Sequence, residues 1–379
     1  MAKNKDKSTA IEDLEDLKQH FISKYGPKAV RFAGDTAIVS VDAVPTGVVG
    51  IDEAIGCKGI PRGRIIEIYG PESSGKTTTC LKIAAAFQNT MFDVKDDNGN
   101  VIGQRPGRVA MVDVEHAFDP NWAKAIGVNI DELIFAQPDH GEQAYDIVEM
   151  LVKSGKIELV ILDSIAAMAT KDEIEGTLEG NNQIGANARL NSRALAKIKG
   201  PVSDNNCTLM CVNQIREKIG VLFGSPETTP GGKALKFYSS VRMDIRRTGS
   251  FKVGDTIVGN TTKVTFKKNK VAPPFTVAEF NITFGLPEYP VSGGDPYSSL
   301  IEIAKSKKIC IQAGSHVKYE GESIGNGLAA AAATLATDPN LFQRLYSHVV
   351  TGTPSCPTTP PSTNEETPSI SENPPQSDS

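Results

Sequence analysis

The clearest chemical signal in the sequence is a phosphate-binding pattern, G-x-x-x-x-G-K-[ST], matched by Gly70, Pro71, Glu72, Ser73, Ser74, Gly75, Lys76 and Thr77. An apolar run before Gly70 predicts a buried strand, and the run after Lys76 predicts a helix, which is where such a loop must lie. Backbone N–H groups and the helix N-terminus would face the phosphates, Lys76 would reach the terminal phosphates, and the Thr77 hydroxyl would hold Mg²⁺. With Thr78, these residues predict a nucleoside triphosphate site rather than a Gly/Ser-rich turn.

Two further predicted strands end in carboxylates. VAMVDVEH finishes near Glu115, and ELVILDS finishes at Asp163 followed by Ser164. Ligands of an open parallel sheet lie beyond the carboxyl ends of its strands, so both carboxylates should face the triphosphate. We expect Asp163 to anchor Mg²⁺ through water and Glu115 to orient and deprotonate the attacking water. The alternative for either residue is a capping or surface acid.

A fourth predicted strand, TLMCVNQIR, ends in Asn213 and Gln214, whose amides can hydrogen-bond a γ-phosphate. The segment 216–237 that follows is rich in glycine and longer than most loops inside a domain. A similar segment runs from 173 to 189. Two such loops on one side of the sheet would suit single-stranded nucleic acid. A lid or a protein-contact loop is the alternative.

Composition narrows the class of protein only a little. The chain has 379 residues and a net charge of −5, which averages an acidic C-terminal segment over several basic clusters. Six cysteines show no C-x-x-C pairing, which favours reduced thiols over disulfides or zinc. The N-terminus lacks an apolar leader segment, and no stretch approaches a membrane span, so we expect a cytoplasmic protein.

Four zones separate along the chain. Residues 1–37 contain an amphipathic helix at about 9–25, which packs either on its own domain or on a neighbouring subunit. Residues 38–289 alternate strands and helices, which predicts an α/β fold with a mostly parallel, doubly wound sheet. Residues 290–350 predict a small α+β domain. Residues 351–379 are acidic and rich in Pro, Ser and Thr, which predicts a disordered tail.

Several long blocks together resemble the bacterial RecA recombinases. The resemblance runs in unbroken order from about residue 10 to about 328, and it rests on GPESSGKT at 70–77, VDVEHAFDP at 112–120, QPDHGEQA at 137–144, VNQIREKIGVLFG at 212–224, PETTPGGKALKFY at 226–238, RMDIRR at 242–247 and KKNKVAPPF at 267–275. It implies a RecA-like P-loop core and a DNA-stimulated ATPase. Such a protein polymerises on single-stranded DNA, pairs it with homologous double-stranded DNA and exchanges strands.

The resemblance also implies roles for single residues. Asp119 and Trp122 correspond to adenine contacts, with Phe284 as a second ring. Lys268 and Lys270 correspond to a pair that reaches the γ-phosphate from the adjacent subunit of a helical filament, and Gln214 corresponds to a γ-phosphate sensor. The two DNA-binding loops fall at about 173–189 and 213–232, with contacts from Ile184, Arg189, Ser192, Arg216, Lys218, Ile219, Gly231 and Gly232.

Three features depart from the family pattern. The segment FDVKDDNGNVIGQRPG is longer than usual, and its N-G turn predicts a surface hairpin. The first DNA loop is about one residue longer, with Ile184 where methionine is common and Ala196 near a frequent arginine position. The C-terminal domain is short. A divergent bacterial or bacteriophage source would account for all three, and the host cytoplasm would then be the site of action.

Two other classes of protein share part of this pattern. A RecA-like ring motor would share the phosphate loop and Asp163, but it would usually carry an arginine finger in place of the K-N-K pair. A non-catalytic DNA-coating or regulatory relative would be expected to lose Glu115 or Lys76, and both residues are present. These comparisons favour the recombinase.

Overall fold

The structure of the chain is a computed structural model, which describes residues 14–26, 41–96, 98–176, 185–217, 226–253, 255–285 and 295–352. The chain divides into two compact units. The first comprises residues 1–47 and 51–294, and the second comprises Val48–Gly50 with the residues from Asp295 onward.

The helices of the described part of the chain are α1 (Leu14–Tyr25), α2 (Val49–Ala54), α3 (Lys76–Gln88), α4 (Pro120–Ile126), α5 (Gly141–Lys153), α6 (Lys171–Glu175), α7 (Ala186–Asp204), α8 (Ala234–Tyr238), α9 (Pro296–Ser306), α10 (Gly327–Thr337) and α11 (Pro339–Thr351). Short 3₁₀ turns occur at Ile130–Glu132 and Ile165–Ala167. None of the helices described is long and apolar enough to cross a bilayer.

The strands described are β1 (Ala43–Val44), β2 (Ile60–Pro61), β3 (Ile65–Gly70), β4 (Met91–Lys95), β5 (Val101–Pro106), β6 (Val109–Asp113), β7 (Ile134–Ala136), β8 (Leu159–Asp163), β9 (Thr208–Gln214), β10 (Arg216–Glu217), β11 (Glu227–Thr228), β12 (Val241–Val253), β13 (Thr256–Asn269), β14 (Val277–Thr283), β15 (Cys310–Ala313), β16 (His316–Tyr319) and β17 (Glu322–Asn326). Eight of them form one sheet.

The large sheet has the order β14-β13-β12-β3-β9-β8-β6-β7. The strands from β12 to β7 pair in parallel, whereas β13 and β14 extend the sheet in antiparallel pairing. Every residue of β3, β6 and β8 is buried, as expected of strands covered on both faces. The predicted α/β fold with a mostly parallel sheet is confirmed.

Helices α5 and α7 pack on this sheet through apolar side chains at helical spacing. Tyr145 and Val148 of α5 and Leu195 of α7 share a buried cluster with Val160 and Leu162 of β8. Helix α3 lies against β3, β6, β8 and β9. The phosphate loop connects the end of β3 to α3, and β9, β8 and β6 continue the sheet from β3 in parallel pairing. The carboxyl ends of these strands therefore bring the phosphate loop and the predicted carboxylates to one edge.

The insertion singled out in the sequence forms the predicted hairpin. Strands β4 and β5 pair antiparallel, and the turn between them is closed by the Asp96 carboxylate, which accepts hydrogen bonds from Asn98 N at 2.9 Å and Asn100 N at 2.8 Å. Gly99 adopts φ +85° in this turn, a backbone conformation that glycine adopts without strain. The N-G signal therefore located the hairpin correctly.

The second unit has its own core. Helices α9 and α10 pack on a three-stranded antiparallel sheet of order β15-β16-β17, and α11 packs on α9 and α10. The core includes Leu300, Val317, Ala331 and Leu345. This is the small α+β domain that the sequence predicted. Of the predicted tail at 351–379, only Thr351 and Gly352 lie among the described residues.

Helix α1 covers the described part of the predicted N-terminal helix. None of its residues is buried, and Leu14 and Tyr25 are 64% and 59% exposed. Leu14, Leu17, Phe21 and Tyr25 recur at helical spacing and form an apolar stripe. Leu14 and Tyr25 are exposed in the single chain, and Leu17 and Phe21 are half-buried.

The buried carboxylate of Asp52 on α2 should make the free energy of unfolding depend on pH. Asp52 Oδ1 accepts hydrogen bonds from Thr46 N and Thr46 Oγ1, both at 2.8 Å, whereas Oδ2 has no partner among the described residues. Burial raises the pKa of Asp52 to about 7. The folded state therefore holds an extra proton between the ordinary Asp pKa near 4 and pH 7, and the free energy of unfolding falls as pH rises through this window.

Asp52→Asn should remove that pH dependence. We expect the variant to gain roughly 3 kcal/mol of stability relative to the parent between pH 5 and pH 8. The folded parent keeps the extra proton over about two pH units of this range, and each unit corresponds to about 1.4 kcal/mol. Urea unfolding at the two pH values measures this, with Asp204→Asn at an exposed helix end as the control. Equal differences at pH 5 and pH 8 would contradict a raised Asp52 pKa.

Candidate nucleotide site and DNA-binding loops

The phosphate loop joins β3 to α3, and its glycines are required by close packing. A Cβ atom on Gly70 would lie 2.0 Å from the Ile245 carbonyl oxygen, and one on Gly75 would lie 2.7 Å from Ile282 Cδ1. Gly75 also adopts φ +94° as the residue that precedes α3. Of the predicted phosphate-binding residues, Pro71, Glu72 and Ser73 are exposed, whereas Ser74 is buried. The loop thus presents its backbone at the start of the helix.

Lys76 is the first residue of α3 and folds back over the loop. Its Nζ atom donates hydrogen bonds to the Gly70 carbonyl oxygen at 3.1 Å and the Pro71 carbonyl oxygen at 2.7 Å. Burial lowers the pKa of Lys76, and the carboxylates of Asp163 and Glu115 oppose that effect. The amine therefore lies in the negative field of both predicted catalytic carboxylates.

The two predicted Mg²⁺ ligands are in direct contact. Thr77 Oγ1 donates a hydrogen bond to Asp163 Oδ2 at 3.0 Å, and Asp163 is 5% exposed. Burial is the main cause that raises the pKa of Asp163 to about 6, with Glu115 and Asp113 adding repulsion. A hydroxyl beside a carboxylate is a hard-oxygen donor pair of the kind that Mg²⁺ uses together with substrate phosphates. No group of three or more acidic, His or Cys side chains that could hold a metal occurs among the described residues.

Glu115, which follows β6, contacts residues at the ends of two other strands. Its Oε1 oxygen accepts hydrogen bonds from Gln214 Nε2 at 3.0 Å and from the Ser164 hydroxyl. Glu115 follows β6, Ser164 follows β8, and Gln214 is the last residue of β9. The structure therefore brings the predicted base and the predicted γ-phosphate sensor together.

Sequence reasoning missed the residues that hold Glu115 in place. The sequence pattern assigns Ser164 no role beyond following Asp163, and it assigns none to Asp113. The Asp113 carboxylate accepts from Glu115 N at 3.1 Å, Phe118 N at 3.2 Å and Gln137 Nε2 at 3.2 Å. The signal available in the sequence was Asp113 itself, an acidic residue that ends an otherwise apolar strand two residues before Glu115.

Of the three predicted adenine contacts, Trp122 contacts the first turn of α3. Asp119 caps α4, because its Oδ1 oxygen accepts from Asn121 N and Trp122 N. Trp122 Nε1 donates to Thr78 Oγ1 at 3.3 Å, so the indole adjoins the nucleotide loop. Phe284 is 45% exposed and comes two residues after Ile282, which packs against Gly75.

Lys268 and Lys270 do not approach the phosphate loop of their own chain. The strand register places Lys268 opposite Arg242, and Arg242 level with Glu67, near the middle of β3. Lys270 N bonds the Ser240 carbonyl oxygen, further from the loop. Lys268 Nζ instead donates to the carbonyl oxygens of Lys236 at 2.7 Å and Phe237 at 3.0 Å in α8. Burial, then Lys270, lowers the pKa of Lys268.

The roots of the two predicted DNA loops are described, but their tips are not. Ile184, Lys218 and Ile219 lie outside the described residues. The range 173–189 predicted for the first loop is too wide, because α6 extends to Glu175 and α7 begins at Ala186. Arg189 and Ser192 therefore lie on α7, and the Ser192 hydroxyl donates to the Ala188 carbonyl oxygen at 2.8 Å. Arg216 lies in β10, which pairs with β11 across the base of the second loop.

Gly231 and Gly232 were predicted to contact DNA, and the structure gives them a packing role as well. Both adopt φ +81°. A Cβ atom on Gly231 would lie 2.5 Å from Asn191 Nδ2, and one on Gly232 would lie 2.8 Å from Ala188 Cβ. The end of the second loop therefore packs directly on α7.

The sheet order, the phosphate loop and the Thr77–Asp163 pair define a P-loop ATPase with helices packed on a mostly parallel sheet. A family model described as the RecA N-terminal domain matches residues 12–287. Protein RecA of Chloroherpeton thalassium is 43% identical over 347 residues, which cover 92% of this chain and 89% of that protein. Protein RecA of Acinetobacter baylyi is 46% identical over 318 residues, which cover 84% and 85% of the two chains.

The chain belongs to the RecA family. It is therefore a DNA-dependent ATPase of the P-loop class and a recombinase of DNA repair. The resemblance inferred from the sequence blocks is confirmed, and the ring motor is set aside.

Proposed function

We propose that the chain hydrolyses ATP with Mg²⁺ while assembled on single-stranded DNA as a helical polymer, and that this polymer pairs the strand with homologous double-stranded DNA. The observation that carries the proposal is the contact of Glu115 with Gln214. It joins the residue suited to activate water to the residue from which the second DNA loop departs.

Glu115 is proposed as the base for the attacking water. Ser164 and Gln214 both donate to Oε1, which orients the carboxylate and leaves Oε2 for the water. In this step the water oxygen attacks the γ-phosphorus, its proton passes to Glu115, and the bond to the β-phosphate oxygen breaks to release ADP. Lys76 would exchange the loop carbonyls for phosphate oxygens.

Thr77 and Asp163 are proposed to hold Mg²⁺, the hydroxyl directly and the carboxylate through water. The ion would neutralise charge on the phosphate oxygens. Asp119, Trp122 and Phe284 are proposed to enclose the adenine, since Trp122 adjoins Thr78 and the strand end before Phe284 adjoins Gly75.

Gln214 is proposed to pass the state of the nucleotide to the DNA. Its side chain contacts Glu115, and only one residue separates it from Arg216 in β10. A change in the bonding of Gln214 on hydrolysis would therefore displace the root of the second loop. The loops would hold DNA with Arg189, Ser192, Arg216, Lys218, Gly231 and Gly232 at the phosphates and Ile184 and Ile219 between bases.

Self-assembly is proposed to complete the site. Lys268 and Lys270 lie level with the middle and start of β3 rather than with the phosphate loop, which supports the proposal that they serve the site of a neighbouring subunit. The apolar stripe of α1, which has no buried residue, would pack on that neighbour. We place this activity in the cytoplasm, or in the host cytoplasm for a phage-encoded chain.

The proposed DNA contacts predict different effects for variants of phosphate-contacting residues and variants of base-contacting residues. Each arginine that contacts phosphate releases about one counterion, so Arg189→Ala and Arg216→Ala should each flatten the salt slope of DNA affinity by about one unit. Ile219→Ala should leave the slope intact and weaken strand pairing, because its side chain would contact bases. Binding of a labelled oligonucleotide across a salt series measures the slopes.

Arg64→Ala serves as the control, because this exposed arginine precedes β3 at the opposite edge of the sheet. A slope that neither loop arginine changes would show that these loops are not the primary DNA site. The next candidates for the primary DNA site would then be Lys305, Lys307 and Lys308 of the second unit.

A further inference from the structure

A set of hydrogen bonds centred on Asn191 joins the first turns of α7 to α5 and to the end of the second loop, through side chains that have no role in the proposed mechanism. Asn191 lies on α7 and is 1% exposed. Its Nδ2 atom donates to Asn187 Oδ1 at 2.9 Å and to the Gly231 carbonyl oxygen at 3.1 Å. Its Oδ1 atom accepts from the Tyr145 hydroxyl of α5. Both donor hydrogens and the acceptor of this amide are therefore used inside the protein.

The set of hydrogen bonds continues toward the strand that carries Asp163. Asn187 Nδ2 donates to the Met168 carbonyl oxygen at 2.7 Å. Met168 directly follows the 3₁₀ turn Ile165–Ala167, and that turn follows Asp163 and Ser164. The hydrogen bonds thus run from the segment after the nucleotide site, through the first turns of α7, to the end of the second DNA loop.

The end of the second loop is also held from the opposite side. Asn213 Nδ2 donates to the Pro230 carbonyl oxygen at 3.3 Å, and Asn213 Oδ1 accepts from Gln214 N at 3.0 Å. Pro230 and Gly231 therefore lie between Asn213, which adjoins the proposed sensor, and Asn191, which adjoins the first loop.

Packing leaves little freedom at this junction. A Cβ atom on Gly231 would lie 2.5 Å from Asn191 Nδ2 and 2.9 Å from Ile165 Cγ2. Close-packed interiors transmit small displacements instead of absorbing them. A shift of the segment after Asp163 would therefore move α7 and the end of the second loop together.

We propose that Asn191 is a positioning residue that couples the two DNA loops to each other and to the nucleotide site through Tyr145, Asn187 and Gly231. The inference rests on the proposed function, because it takes these loops as the DNA site. Asn191 touches neither nucleotide nor DNA in this scheme. Asn191 instead determines by how much bound nucleotide changes the affinity of the protein for DNA.

The test is the ratio of oligonucleotide dissociation constants measured without and with a non-hydrolysable ATP analogue. Coupling between two sites typically changes affinity by about 5- to 150-fold. For Asn191→Leu we expect the parental ratio to fall to within about twofold of one, with nucleotide-free DNA binding and nucleotide affinity retained. Tyr145→Phe removes only the hydroxyl and should give an intermediate ratio.

Two further variants separate coupling from stability. Tyr145→Phe combined with Asn191→Leu replaces two bonded partners by apolar groups, which costs less stability than leaving one partner unpaired, and it should still lose the ratio. Asn205→Ala is the matched control, since Asn205 Nδ2 ties the far end of α7 to the Val152 carbonyl oxygen at 3.0 Å. It should keep the parental ratio.

A residue that only stabilised the fold would lower the melting temperature and leave the ratio unchanged. A parental ratio in Asn191→Leu, or in the double variant if the single variant does not fold, overturns the inference while the proposed function stands. A parent whose DNA affinity does not respond to the nucleotide overturns the proposed function and this inference together.

Discussion

Replacing Glu115 by glutamine is expected to lower ATP hydrolysis by about 10²- to 10⁴-fold while ATP still binds. Glutamine keeps an oxygen that can accept from Ser164 and Gln214, as Glu115 Oε1 does. It cannot take a proton from water at the position of Oε2. Loss of hydrolysis with bound ATP should leave DNA-bound filaments that persist.

Phosphate release measured with and without single-stranded DNA tests this expectation, together with binding of a fluorescent ATP analogue. Glu132→Gln is the control, since Glu132 is an exposed residue of the 3₁₀ turn Ile130–Glu132. If Glu115→Gln hydrolyses ATP at the parental rate in the presence of DNA, Glu115 is not the base.

The second large effect is expected from Lys268 and Lys270. Changing both to alanine should abolish DNA-stimulated hydrolysis and leave nucleotide binding measurable, because these residues would serve the site of the adjacent subunit. Lys268 also bonds carbonyl oxygens of α8, so Lys270→Ala alone is the cleaner single variant. Lys267→Ala on the same strand is the matched control, since Lys267 is exposed.

Mixing variants distinguishes a shared site from a site within one chain. A filament of equal parts Glu115→Gln and Lys268→Ala/Lys270→Ala subunits should recover about a quarter of its sites, because heterologous contacts pair an intact base with an intact lysine pair at that frequency. Neither protein alone should be active. Mixtures that stay inactive, although filaments form, would contradict a site completed across subunits.

Local patterns located the nucleotide site because each of its parts is encoded by a short stretch of sequence. The phosphate loop, Asp163 and Glu115 each end or follow an apolar run, and parallel strands bring such ends to one edge. The N-G turn similarly located the β4–β5 hairpin. The predicted mostly parallel sheet is confirmed from β12 to the edge strand β7. At the other edge β13 and β14 extend the sheet antiparallel, an arrangement that alternation alone does not specify.

The contacts that hold these residues could not be predicted in the same way. Asp113 and Ser164 position Glu115 through bonds whose partners depend on strand order. Tyr145 and Asn191 are 46 residues apart in sequence, and no spacing pattern relates them. The cap that Asp119 provides for α4 was also missed, because Asp119 was assigned only to the adenine contact that the resemblance implies.

The central claim is that the chain works as a helical polymer on DNA, and electron microscopy with ATP, Mg²⁺ and single-stranded DNA tests it most directly. We expect continuous helical filaments along the DNA, which require ATP and are lost when residues 1–33 are removed, since that segment contains α1, none of whose residues is buried in the single chain. Closed rings, or single chains with full DNA-stimulated ATPase activity, would contradict the account.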